Sequence, residues 1–229
     1  MNEQFKSEEK FQKIQKEVER ELSCSAHDMD HILRVYNLAL HLADGEDVDL
    51  DVLRAAALLH DIARVREDND PSGKTDHSTL SAQMSLPILK EIGFPAEKIR
   101  HIQECIVSHR YKTDNKPKTM EAKILFDADK LDTVGAIGVA RSYVWVGRNN
   151  AKIYADVDLD EYIKENLGGK INGRIQDNTR HSPQIEYETK IRFLMEKLNT
   201  AKAKAICLER LEFFKNFLER LEKEIKGEI

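Results

Sequence analysis

No apolar run in these 229 residues approaches the roughly 18 that a membrane span requires. The opening stretch, MNEQFKSEEKFQ, is charged where a signal peptide would carry an apolar core. A cytoplasmic protein with no membrane partner is therefore expected. Cysteine is scarce: Cys24, Cys105 and Cys207 are odd in number, far apart and form no C-x-x-C pair, so zinc or redox chemistry built on such pairs is disfavoured and a reducing compartment fits. An excess of positive charge is also missing. With 36 basic and 41 acidic residues the net charge is -5, which gives no broad positive field for a phosphate backbone. Polymeric nucleic acid is not expected as a partner, although a small acidic substrate needs only a few Lys or Arg side chains near its phosphates.

Proline and glycine are few, at 5 and 10 residues, while 34% of the chain is charged. The apolar residues recur at spacings of three and four, not two, so the predicted class is all-α. Phe11, Ile14, Val18 and Leu22 form one stripe of a first helix that should stop at the polar SCSAHD. A second is predicted over 28–43, with Asp28 as N-cap, and a third over 50–64. A polar loop over 65–76 should lead into a helix over 77–91. Gly93 and Pro95 then punctuate the chain before another helix that reaches about His109. Further helices are expected over 120–131 and through VGAIGVARSYVWV, where Gly135 and Gly138 would permit close packing. Periodicity weakens over 147–185, with at most one helix at 159–166, and returns from Ile191 to Leu221 as one or two long helices. These could pair with a second copy, leaving a homodimer open, but packing back on the domain is the simpler reading. One domain over 1–229 is expected, with a core at about 24–146 and a helical extension at about 147–229.

The chemistry concentrates in AAALLHDIARV, where His60 and Asp61 follow the apolar face of Ala55, Ala56, Leu58 and Leu59. Burying an imidazole and a carboxylate among apolar neighbours is unfavourable without a partner, and a divalent cation is the strongest one available. His31 lies on the preceding predicted helix and Asp129 on a later one, in DADKLD. Antiparallel packing could gather all four. Two imidazoles and two carboxylates would neutralise a 2+ ion and leave positions open for water and a phosphate oxygen, as in a catalytic site. His27-Asp28, a second His-Asp dipeptide, sits in a polar setting where Asp28 serves as a cap. Gly73-Lys74-Thr75 echoes the end of a P-loop but has Asp68 where the first glycine should stand and no preceding strand.

The order His31, His60-Asp61, Asp129 resembles the HD-domain superfamily of metal-dependent phosphohydrolases. DHSTLSAQ and DADKLDTVGAIGVAR are similar, more narrowly, to its stand-alone YedJ-like branch. The resemblance implies an HD-type helical bundle with additional C-terminal helices, and metal binding by His31, His60, Asp61 and Asp129. His77 and His109 stand where two-metal relatives carry extra histidines. A hydrogen bond to bound phosphate is preferred for them over a second metal, with a structural role as the third option. Lys74, Lys112, Lys130 and Arg141 are candidates to neutralise substrate phosphates. Arg141 leads, because HD phosphodiesterases often carry an arginine there. Asp132, one turn beyond Asp129, could orient a ligand, bind a substrate hydroxyl or simply form a salt bridge.

The implied reaction is attack of a metal-activated water on phosphorus. A divalent ion lowers the pKa of bound water from about 15.7 to near 7, Asp61 or a neighbouring acid helps take its proton, and His77, His109 or Arg141 stabilises the developing charge. Manganese is expected by resemblance, with iron, cobalt, nickel, zinc or magnesium as alternatives. The implied substrate is a small phosphorylated molecule, a nucleotide above all, cleaved by a nucleoside triphosphate pyrophosphohydrolase or a nucleotidase. The Glu-Asp pair of guanosine tetraphosphate hydrolases comes slightly too late here, as Glu67-Asp68, and the Gly-Tyr-Pro signature of the cyclic-dinucleotide branch is absent. An HD-fold di-iron oxygenase and a non-catalytic ligand sensor are the competing readings.

Overall fold

The computed structural model describes residues 3–22, 29–110 and 115–229, with side chains from residue 8 onward. Cys24, the His27-Asp28 dipeptide with its expected cap, and Lys112 lie outside the described residues. No strand occurs among the described residues, and no helix there is long and apolar enough to cross a membrane. The fold class read from periodicity is therefore correct. By packing the chain divides into two compact units, 1–129 and 130–229.

The first unit contains α1 (Glu3–Leu22), α2 (Met29–Ala43), α3 (Leu50–Leu59), α4 (Arg64–Asp68), α5 (His77–Ile92), α6 (Ala96–Ser108) and most of α7 (Met120–Leu131). Helix α3 is its centre and packs against α1, α2, α5 and α6. Its sequence explains why. Asp49 caps it, accepting hydrogen bonds from the amides of Asp51 and Val52. Ala55, Ala56, Ala57, Leu58 and Leu59 are all buried, and the small alanines let neighbouring helices approach closely. The α1 stripe of Phe11, Ile14, Val18 and Leu22 is buried as its spacing predicts. At the end of α5, Gly93 adopts φ +88 and its amide reaches the carbonyl of Leu89, a left-handed stop that favours glycine.

The expected helix over 50–64 differs from the structure in a way that matters for the site. Helix α3 stops at Leu59, residues 60–63 turn, and the short α4 runs from Arg64, the last residue of the expected helix, to Asp68 through the start of what the sequence predicts as loop. The chain is turned there by bonds three residues apart, Ile62 N to Leu59 O at 3.3 Å and Arg64 N to Asp61 O at 2.9 Å.

The second unit contains α8 (Gly135–Asn149), α9 (Leu159–Asn166), a 3₁₀ turn (Asn178–Arg180), α10 (Pro183–Thr189), a 3₁₀ segment (Ile191–Lys197) and α11 (Ala201–Ile225). Helix α8, which the sequence reading placed with the core, packs on α10 and α11. A Cβ on Gly138 would stand 2.3 Å from the Thr133 carbonyl oxygen and 3.3 Å from Phe214, so the close packing expected of this glycine is present. The weakly periodic 147–185 stretch has its own small core of Ala155, Tyr162, Leu167 and Ile185. A polar chain fastens it. Asn166 donates to the Tyr162 hydroxyl at 2.7 Å, which donates to His181 Nδ1 at 2.8 Å, and His181 Nε2 in turn donates to Glu186 at 2.9 Å. Near the C-terminus one long helix forms. It starts only at Ala201 because Thr200 caps it, accepting from Ala203 N, and because Ile191 and Leu194, three apart, are buried together in the 3₁₀ segment.

Candidate metal centre

The turn after α3 is what presents His60 and Asp61. Around it the first unit gathers His31 from the first turn of α2, His77 from the first residue of α5, His109 from just beyond α6, and Asp129 from the last turn of α7. All except Asp129 are buried, with His60 fully so. Ligand-capable atoms fall into two groups, His31–His60–Asp129 and Asp61–His77–His109, each within 4.8 Å. His31 Nε2 lies 3.5 Å from Asp129 Oδ1. Asp61 connects the groups. Its Oδ2 is 3.8 Å from His31 Nε2 and 3.9 Å from His60 Nε2, while its Oδ1 is 3.3 Å from Nε2 of both His77 and His109.

Three imidazoles are tied at Nδ1, which leaves Nε2 facing inward. Nδ1 of His60 lies 2.8 Å from Ala57 O, that of His109 2.5 Å from Ile106 O, and that of His77 2.7 Å from Glu67 Oε2. Each of these three partners accepts only and so calls for the proton on Nδ1 and a lone pair on Nε2, although at His77 the donor Arg64 Nη1 also lies 3.3 Å from Nδ1. The consequence is a polar interior that protein atoms alone leave unsatisfied. His60 Nε2 is buried without a hydrogen-bond partner, and the Nε2 atoms of His77 and His109 face one another at 3.3 Å. Inward-pointing lone pairs among carboxylates are what a divalent cation satisfies, with outer partners that orient the ligands.

The electrostatics agree. Burial pushes the His60 imidazole down to about 4, so it is neutral, the form that binds metal, at physiological pH. Burial likewise lowers His77. For Asp61 burial acts upward, but His60, His109 and His77 outweigh it and hold the carboxyl well below its usual range.

The structure thus brings together His31, His60, Asp61 and Asp129 with His77 and His109. Lys74 is exposed on the loop before His77, its amide held by Asp70 at 3.2 Å. Lys130 follows Asp129 on α7. Asp132 is buried and is bonded within the second unit to Arg141 at 2.5 Å, the salt-bridge alternative for that acid. Sequence reasoning did not single out Glu67, Arg64 or Arg110 as site residues. Glu67 bonds His77, lies 3.0 Å from Arg64 and 2.9 Å from Arg110, and Arg110 also pairs with Asp76. Burial acts upward on Glu67, yet His77 and the two guanidiniums keep its carboxyl below its usual range.

Comparison with known proteins gives the same family. A family model described as HD domain matches residues 28–134. YpgQ of Bacillus subtilis (strain 168) is 27% identical over 205 residues, 89% of this chain and 86% of the relative. Its crystal structure in complex with ADP superposes with a TM-score of 0.72 at 25% identity, covering 97% of this chain and 98% of that one. A predicted HD superfamily hydrolase from an uncultured Thermotogales bacterium gives a TM-score of 0.61 at 25% identity over 95% of this chain and 91% of the other. The 3'-5' exoribonuclease YhaM of B. subtilis is 30% identical over 115 residues, 44% of this chain but only 37% of the relative.

Proposed function

Since the chain belongs to the HD-domain family, we propose that it is a metal-dependent phosphohydrolase whose substrate is a nucleotide, cleaved as by a nucleoside triphosphate pyrophosphohydrolase or a nucleotidase. The observation that carries this reading is the placement of Asp61, with one carboxylate oxygen toward His31 and His60 and the other toward His77 and His109. A carboxylate so placed suits two divalent ions side by side, one held by His31, His60, Asp61 and Asp129, the other by Asp61, His77 and His109. The 3.3 Å approach of two imidazole lone pairs favours a cation at His77 and His109 over the phosphate contact preferred from sequence. Manganese is the ion favoured, and imidazole with carboxylate also suits iron, cobalt, nickel or zinc.

When bound, the ions supply a Lewis acid toward phosphoryl oxygen and a water acidified to a pKa near about 7. The protein's part is to hold lone pairs in place before the ions arrive, through the Nδ1 bonds of His60, His77 and His109. Lys74, three residues ahead of His77 on an exposed loop, adds positive charge for substrate phosphates. Support for a nucleotide comes from two relatives, YpgQ with ADP and the exoribonuclease YhaM, the latter matched over only part of its length.

The test is metal content of the purified protein together with phosphate and pyrophosphate release from a nucleotide panel, repeated for Asp61→Ala. Metal-dependent release that the variant loses supports the hydrolase and identifies the bond. Two bound irons with oxygen consumption and no phosphate release would replace it with an oxygenase, and tight metal without either reaction with a sensor.

A further inference from the structure

His77 stands between two competing hydrogen-bond arrangements. Its Nδ1 lies 2.7 Å from Glu67 Oε2 and 3.3 Å from Arg64 Nη1. A carboxylate demands a proton on Nδ1, whereas a guanidinium, which only donates, demands a lone pair there. The two demands fix opposite tautomers. With the proton on Nδ1, Nε2 offers a lone pair to the Asp61–His109 group. With the proton on Nε2, that atom would donate to Asp61 Oδ1, 3.3 Å away, and could hold no cation.

We propose that Glu67 is the positioning residue that decides this contest, keeping His77 in the tautomer able to bind the second ion. The shorter bond goes to Glu67, and the surroundings hold that carboxylate in place. Arg110 reaches Glu67 Oε1 at 2.9 Å and also pairs with Asp76, which precedes His77 and caps α5 by accepting from Thr79 N at 2.9 Å. Arg64 contacts Glu67 Oε2 at 3.0 Å, so the guanidinium that would enforce the wrong tautomer is itself engaged by the acid that enforces the right one. Glu67, Arg110, Asp76 and His77 form a closed ring joining α4, α5 and the end of α6. Arg110 directly follows His109, so the other histidine of the group is attached to the same ring.

This inference rests on the two-ion reading above, and its test separates the two. In metal-free protein with ¹⁵N-labelled histidine, the ring-nitrogen shifts of His77 report its tautomer without any metal or substrate. Wild type should show Nδ1–H. Glu67→Ala should shift His77 toward Nε2–H, while Glu67→Gln, whose amide oxygen still accepts, should largely retain Nδ1–H. Manganese titration should then show the second ion bound about 10–100-fold more weakly in Glu67→Ala, the range seen for loss of an outer partner, with the first ion unchanged and Glu67→Gln between. An unchanged first ion also shows that the variants are folded. Nδ1–H in Glu67→Ala, or a second ion bound as tightly as in wild type, would overturn the role of Glu67. A wild type that binds one ion and leaves His77 and His109 unperturbed would overturn the two-ion reading instead, and the tautomer comparison would still decide whether Glu67 governs His77.

Discussion

His60 hangs from Ala57. Its Nδ1 lies 2.8 Å from the carbonyl oxygen three residues back, so Nε2 is the only ring atom left to bind anything, and it is buried without a protein partner. Metal should therefore stabilise the fold through this side chain. At a free concentration 100-fold above Kd, an ion that binds only the native state adds about 2.7 kcal/mol. Thermal unfolding with manganese and with EDTA should show that difference in wild type and most of it lost in His60→Ala. Equal metal-induced shifts in the two proteins would remove His60 from the site.

Cys105 is buried on α6, and burial pushes its thiol up to about 12. Cys207 is buried on α11. Neither should react with a thiol reagent at neutral pH, because the reagent cannot reach a buried sulfur and, at Cys105, burial also disfavours the nucleophilic thiolate. Cys24→Ser should show no fast-reacting thiol when native and both remaining thiols in urea. Rapid labelling of the folded variant would contradict the burial of these two residues.

In the second unit, Gly138→Ala would bring a methyl group 2.3 Å from a backbone oxygen that cannot turn aside and 3.3 Å from Phe214. Overpacking of this kind costs about 1–3 kcal/mol. Urea denaturation should show a loss in that range, and no change would mean that α8 and α11 yield more easily than their geometry indicates.

Glu186 accepts from His181 at 2.9 Å and Lys190 at 3.0 Å. Burial acts upward on its carboxyl, but these partners outweigh it and hold it below the usual value of 4.5. A carboxyl lowered in the folded state adds stability above its unfolded pKa and loses it as the pH falls through the folded value. Glu186→Gln should thus be less stable than wild type at pH 7, with the gap closing as the pH falls below 4.5. A gap that stays constant in acid would mean that the charge of Glu186 contributes nothing.

The helices were legible where burial repeats along the sequence. Phe11, Ile14, Val18 and Leu22 mark α1, and Met120 to Leu131 bound α7 as expected. His31, His60, Asp61 and Asp129 could be picked out because polar groups inside apolar faces need a partner. The break after Leu59 was not legible. LLHDIARV has no glycine or proline to break the helix, and the modest helix propensities of His60, Asp61 and Ile62 give no sharp stop signal, so the turn is imposed by the packing around it. Helix α10 is short and polar and starts with Pro183, so it carries little periodicity. Glu67 was hidden for another reason: in the charged run VREDND it looks like any solvated acid, and only α4 brings it to a histidine ten residues later.

The early stop of α3 has a further effect on the order of events. Helices α3 and α6 end at Leu59 and Ser108, directly before His60 and His109, so the negative ends of two helix dipoles point where these imidazoles stand. Helix α5 begins at His77 and α2 two residues before His31, so two positive ends offset them, and the negative charge of the bare cluster comes from Asp61 and Asp129. On the function proposed above, a phosphate should meet repulsion from these two carboxylates before the cations bind and attraction afterwards, so metal is expected to load before nucleotide. By ending early, α3 puts one of those carboxylates, Asp61, in the turn beside His60, and so has a share in that sequence.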